Sequence, residues 1–324
     1  MIRIAVAAQD CYNDDMPKKI VVSKHWFSKR YLSRWLYVGG AVLLVAAGSL
    51  WWFRVQTDPE RVFWGMLEQS LRTSGVTLQS SQETNNANVR YTLQYSLGGQ
   101  NRAHSLTTVE QTGASVTTEL IGTPTADYTR YVQIETSETN AQGQPLDVSS
   151  IEGVWAVSDE TAGGNLLSQA VLGLSLPLGA LPVPIANVAP EQRATLLDNM
   201  RQDNVYEVTY RNAKKQRVHG RLQYVYDVRM QVILYAGLMK QFGAAVGLDE
   251  LEQLDPNSYS GAPPLELQMT VDARSRQLVA VQVAGQDGGT YTQTYNGYDV
   301  PVRVPLPEQT IANTELQQRL QELQ

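Results

Sequence analysis

Few residues in this chain have the types and spacing that chemistry needs. Its three histidines, His25, His104 and His219, are far apart, so no His-x-x-x-His metal pair exists. The single cysteine, Cys11, rules out an intramolecular disulfide, a zinc ribbon and an iron–sulfur site. His104 lies in a polar alternating stretch with no acid or nucleophile at useful spacing, and reads as an exposed side chain rather than a general base. His219 stands among Lys214, Lys215, Arg217 and Arg221; that cluster reads either as an anion site for a phosphate or lipid head group or as a solvated hairpin. Asp249, Glu250, Glu252 and Asp255 lack the ligand alternation of a calcium loop and read as a charged turn. There is no nucleophile elbow, since Gly173-Leu174-Ser175 runs into Leu176-Pro177, and no phosphate-cradling Gly-x-x-x-x-Gly-Lys loop. The expectation is a protein without a cofactor or metal and without catalysis.

The elements that position these residues begin with a charge division. The net charge of −6 hides eight basic residues against three acids up to Arg54, a surplus of +5, while the remainder carries −11. Between them Leu36 to Phe53 is uncharged; as a helix it would span about 27 Å, close to a bilayer's hydrocarbon core. Lys24, Lys29, Arg30 and Arg34 precede it, and aromatic residues flank both ends. The organisation expected is a basic cytoplasmic N-terminus (1–35), a single transmembrane helix (36–53) and an extracytoplasmic domain (55–324). A signal peptide cleaved near Ala46-Ala47-Gly48 is the rival reading. Ser49 stands where a lipoprotein signal would need Cys, and the acidic outer part argues against nucleic acid as a partner.

In the outer part Asp58-Pro59 is an N-cap and first-turn pair, with Val62, Met66, Leu67 and Leu71 as an apolar stripe and Gly75 as the stop. The period then changes to two: Val89, Tyr91, Leu93, Tyr95 and Leu97 alternate with polar residues. Strands are expected near 103–111, 115–121, 127–136, 154–157, 204–211, 217–227, 265–271, 279–283 and 291–295. Gly285 to Gly289 makes a turn, and Val300, Val302 and Val304 a final edge strand. Helices are expected at 190–200, 230–246 and in the tail. Thr161 to Pro190 has no charge and is rich in leucine, but its prolines exclude a second membrane helix. It reads as core cover with a buried loop, as a lid over an apolar cavity, or as a segment dipping into the membrane surface. The fold class is α+β, a curved antiparallel sheet packed with helices; a boundary near 190–203 is the alternative to one outer domain.

Residues 265–311 carry a further pattern. A strand ends in an Asp turn at Val271-Asp272, the next carries Leu278-Val279, and a Tyr-rich strand leads through Tyr298-Asp299 into a valine–proline edge. Together with Gly153-Val154-Trp155 and the link from 222–228 to helix 230–246, this resembles the LolA/LppX-like envelope lipoprotein superfamily. The resemblance implies a half-barrel whose concave side, plugged by helices, holds acyl chains or other apolar ligands. Trp155, Leu167, Val171, Leu174, Tyr224, Tyr226, Leu238, Phe242, Leu267 and Met269 are the residues expected to line it. This chain departs from the family in having an anchor in place of a lipidated Cys, and in the length of 161–203. A fixed tether suits a receptor, a local acceptor or an envelope scaffold better than a soluble shuttle. The alternative is a structural or protein-interaction module of the envelope, with a filled core and an envelope protein as partner.

Overall fold

The computed structural model describes residues 57–83, 87–99, 101–139, 143–158, 166–167, 182–284 and 290–323. The expected span at 36–53 lies outside them, as do Cys11, the turn at Gly285–Gly289 and most of the leucine-rich segment. Among the described residues no helix is long and apolar enough to cross a membrane.

Helix α1 (Pro59–Ser70) starts as its sequence dictates: Asp58 Oδ1 accepts from the N–H groups of Glu60 and Arg61 at 3.0 and 3.2 Å. It ends a turn before Gly75, because Ser74 N–H is drawn to Asp299 Oδ1 at 2.8 Å and Gly75 opens strand β1 (Gly75–Glu83). Strand β1 escapes sequence reading because only Val76 and Leu78 mark its core face; Ser80 and Gln82 continue that face with polar groups. Four long strands follow as a meander: β2 (Ala87–Ser96), β3 (Arg102–Gln111), β4 (Ala114–Gly122) and β5 (Asp127–Thr136), then the short β6 (Ala156–Ser158).

Helix α2 (Pro190–Gln202) leads to β7 (Tyr206–Val208), β8 (Lys214–Val218) and β9 (Arg221–Met230). The strand expected over 204–211 is cut short by a 3-10 turn at Tyr210–Asn212. Helix α3 (Val232–Val246) stops at Gly247, whose φ of 68° is a left-handed cap. The one-turn α4 (Asp249–Glu252) precedes β10 (Leu265–Asp272), β11 (Leu278–Ala284) and β12 (Thr290–Asn296). The chain closes with β13 (Ile311–Ala312) and helix α5 (Asn313–Glu322).

Among the described residues thirteen strands form one open sheet in the order β13-β6-β5-β4-β3-β2-β1-β12-β11-β10-β9-β7, with β8 also on β9. Every pairing is antiparallel except β13 with β6. The edge strand expected at 300–304 does not form. Pro301, Pro305 and Pro307 have no N–H for a ladder, and the stretch is held by Arg102 Nη1 donating to Val304 O at 2.8 Å and by burial of Val302. The strand that does join the sheet is β13, where Ile311 N–H meets Trp155 O at 2.9 Å.

Helices α1, α2 and α3 share one core with the sheet. Register places Val76 and Leu78, Leu93 and Tyr95, Tyr295, Val281, Leu267 and Met269, and Tyr224 and Tyr226 on its inner face. Phe63 stands at its centre, with ring centroids 5.4 Å from Tyr226, 5.9 Å from Tyr210 and 6.1 Å from Tyr206. Each such pair contributes about 0.5–1.5 kcal/mol beyond its burial. Three buried phenols are hydrogen-bonded to backbone: Tyr226 OH donates to Pro59 O at 2.8 Å, Tyr206 OH to Pro182 O at 2.6 Å, and Tyr224 OH to Thr57 O. A second, smaller core joins Ile151, Ala156 and Leu316, where α5 docks beside β5 and β6. Residues Val55–Gln324 cluster as one unit.

Candidate functional site

The inner face of the sheet is divided between these two cores, and the division defines the candidate site. Along one row Val89 is opposite Val109, Val109 opposite Val116 and Val116 opposite Ile134. All four are half-buried. Val89 and Leu120 pack against the main core, and Ile134 and Tyr131 against the core under α5. Val109 and Val116 belong to neither. A second row behind them runs Tyr91, Thr107, Thr118 and Tyr131. Burial raises the Tyr91 phenol well above its ordinary range, and its hydroxyl is buried without a hydrogen-bond partner among the described residues. Aliphatic and aromatic side chains with a few hydroxyls between them form a lining of the kind that holds an apolar molecule.

Seven of the eight described residues expected from sequence to line a cavity share the main core. Tyr224, Tyr226, Leu267 and Met269 on the sheet and Leu238 and Phe242 on α3 come together, but in the core that α1 and α3 share with the sheet, where all six are buried and their side chains fill the space. Leu167 is also fully buried and belongs to the main core. Val171 and Leu174 lie outside the described residues. Trp155 is elsewhere: the Arg130 guanidinium lies 4.6 Å from the centroid of its ring. Arg130 is on the opposite, outer face, paired in register with Glu119.

That outer face holds a constellation the sequence did not reveal. Glu119 Oε2 accepts from Arg130 Nε at 2.7 Å, while its Oε1 lies 2.8 Å from His104 Nε2. His104 therefore has an acid partner, fifteen residues away in sequence but on the neighbouring strand. Burial raises the Glu119 carboxyl, but the bonds from His104 and Arg130 outweigh it and hold the group below its usual value. With both carboxylate oxygens committed, this is a braced surface cluster rather than a poised acid.

A second carboxylate behaves in the opposite way. Asp127, at the start of β5, is pushed up to about 6, first by burial and further by Glu250, against the bond it accepts from Leu166 N–H. His219 and Gly220 form the two-residue tip of the β8–β9 hairpin, with φ of 49° and 78° as that turn requires. Among the described residues no three His, Cys, Asp or Glu converge as metal ligands. The residues named by the family pattern have structural duties. Asp272 Oδ1 accepts from Arg274 and Ser275 N–H at 2.9 and 2.8 Å, Asp299 ties β12 to β1, and Tyr298 OH donates to Leu278 O.

Two solved structures are similar to this chain at low sequence identity. One is LprF from Mycobacterium bovis, at 11% identity and a TM-score of 0.38, covering 77% of this chain and 96% of that one. Another is the lipoprotein LppX from Mycobacterium tuberculosis, at 11% identity and a TM-score of 0.34, covering 78% and 99%. No family model matches the chain, and no curated protein matches it.

Proposed function

We propose that this chain is a membrane-anchored extracytoplasmic protein whose curved sheet holds a lipid or other apolar molecule. One observation carries the reading: the row Val89–Val109–Val116–Ile134, an apolar strip whose middle pair belongs to neither core. Burying a valine contributes about 1.5–3 kcal/mol, so a strip left half-exposed is a surface that an apolar ligand would complete. The uncharged run Leu36–Phe53 with its basic flank supports the anchor, and the acidic remainder suits the outer side. Native mass spectrometry of the 55–324 fragment tests it. A mass excess removed by organic extraction, with uptake of an apolar fluorescent probe, is the expected result; a ligand-free mass with no uptake refutes it.

A second reading has its own observation. Six of the residues expected to line a cavity are buried in the core that α1 and α3 share with the sheet, which favours an envelope interaction module whose core is filled. The same measurement separates the two, because a filled module takes up no probe.

A further inference from the structure

We propose that the β8–β9 hairpin is a docking surface for the anionic phospholipid headgroups of the membrane in which the chain is anchored. The inference rests on the anchored reading and adds where the outer domain meets the bilayer. Lys214, Lys215, Arg217 and Arg221 put four positive charges on eight residues that contain no acid, within a part of the chain that carries −11. Every residue of β8 is exposed, and among the described residues none of the four cations forms an ion pair. At the tip Val218 leaves 39% of its surface in solvent beside His219 and Gly220. An exposed valine beside Arg217 and opposite Arg221 matches the boundary between acyl chains and phosphates.

The position of the hairpin points to the membrane rather than to a soluble anion. Lys215 Nζ lies 5.6 Å from the centroid of the Tyr224 ring, and Tyr224 OH bonds the carbonyl of Thr57, the first described residue. Phe53, the last residue of the expected span, is four residues before Thr57 in the sequence. The basic hairpin thus lies on the same tyrosine that holds Thr57, the described residue nearest in sequence to the expected span. Asp58 and Glu60 are the acids nearest that point in sequence; Asp58 is occupied in capping α1. Lysines on an edge strand also prevent edge-to-edge pairing, but that duty needs neither Arg221 nor an exposed apolar tip.

The test uses the full chain with Cys11→Ser and Val218→Cys, labelled at 218 with an environment-sensitive fluorophore. Flotation and label emission are read with vesicles of phosphatidylcholine alone and of phosphatidylcholine with phosphatidylglycerol. The expected result is flotation with both vesicles, and a blue shift with protection from an aqueous quencher only where phosphatidylglycerol is present. The protection should fade in high salt and vanish when the four cations become Glu. Each charge is worth roughly fivefold in partition onto an anionic surface, so losing two should weaken protection by about 25-fold. Flotation with both vesicles and a label equally exposed on each overturns the proposal and leaves the anchor standing. Flotation only with the anionic vesicles supports the hairpin and defeats the anchor, and flotation with neither defeats both. A Gln variant of the four cations that melts as the parent does but loses protection shows that charge, not folding, is read.

Discussion

Asp127 Oδ2 accepts a hydrogen bond from the backbone N–H of Leu166 at 2.7 Å, joining the start of β5 to a residue 39 positions later. Its Oδ1 is buried without a partner among the described residues. The bond therefore stabilises a carboxylate whose surroundings disfavour its charge. A group with a folded value raised to about 6, from 3.8 in the open chain, binds more protons folded than unfolded between those values. Stability contributed by the protonated form is complete below about pH 4 and falls as pH rises through 6. Asp127→Asn keeps an acceptor for Leu166 and removes the charge. Denaturant unfolding at pH 4.0, 5.0 and 7.0 should show a gain of about 1–2 kcal/mol at pH 7, discounted for partial exposure, and none at pH 4. A variant less stable at pH 7 would contradict this account.

The Glu119 cluster has the opposite sign. Its folded value is lowered, so its contribution is present above the unfolded value and is lost as pH falls through the folded one. Glu119→Gln should cost roughly 1 kcal/mol at pH 7, with Arg130 and His104 left one neutral amide oxygen in place of two carboxylate oxygens, and close to nothing in acid below both values. Urea titrations at the two pH values measure it.

Gly243 in α3 sets two effects against each other. Alanine in a helix interior is worth about 1 kcal/mol over glycine. A Cβ at this position, however, would drive into Leu251 Cβ and lie 3.1 Å from Leu248 O. Overpacking costs about 1–3 kcal/mol, so Gly243→Ala should lower the melting temperature, whereas the propensity scale alone predicts a rise.

Two substitutions separate binding from packing. Met269 is fully buried under the helices, and Met269→Ala should cost about 2–5 kcal/mol. Val116 is half-exposed between the two cores, and Val116→Lys should change stability by less than about 1 kcal/mol while abolishing uptake of an apolar probe. Unchanged uptake in Val116→Lys would place any ligand elsewhere.

Much of the fold was legible because single strands and helices advertise their faces. Alternation from Val89 to Leu97 and from Leu265 to Val283 gave real strands, and Asp58-Pro59 gave a real helix start. Where a strand faced a polar or crowded neighbour the pattern failed: β1 carries too few apolar residues to show its period. The valines at 300, 302 and 304 alternate, yet the prolines among them keep them out of the sheet.

The candidate site was less legible for a physical reason. Periodicity tells which side chains share a face, but not which part of that face a helix covers. Tyr224, Tyr226, Leu267 and Met269 read as a cavity wall and lie beneath α1 and α3, while Val109 and Val116 read as ordinary strand residues and stand between two cores. Likewise the cationic character of 214–221 is written in the sequence, but its place beside Thr57 depends on β8 pairing with β9 and on the Tyr224 hydroxyl. His104 and Glu119 meet only because two strands adopt one register. The sequence by itself determined the scarcity of catalytic groups, the division of charge around Arg54 and the period of most strands, since these depend on residue types and local spacing. Tertiary structure decided what is covered, what is left open and which charges meet, because those depend on contacts between segments far apart in the chain.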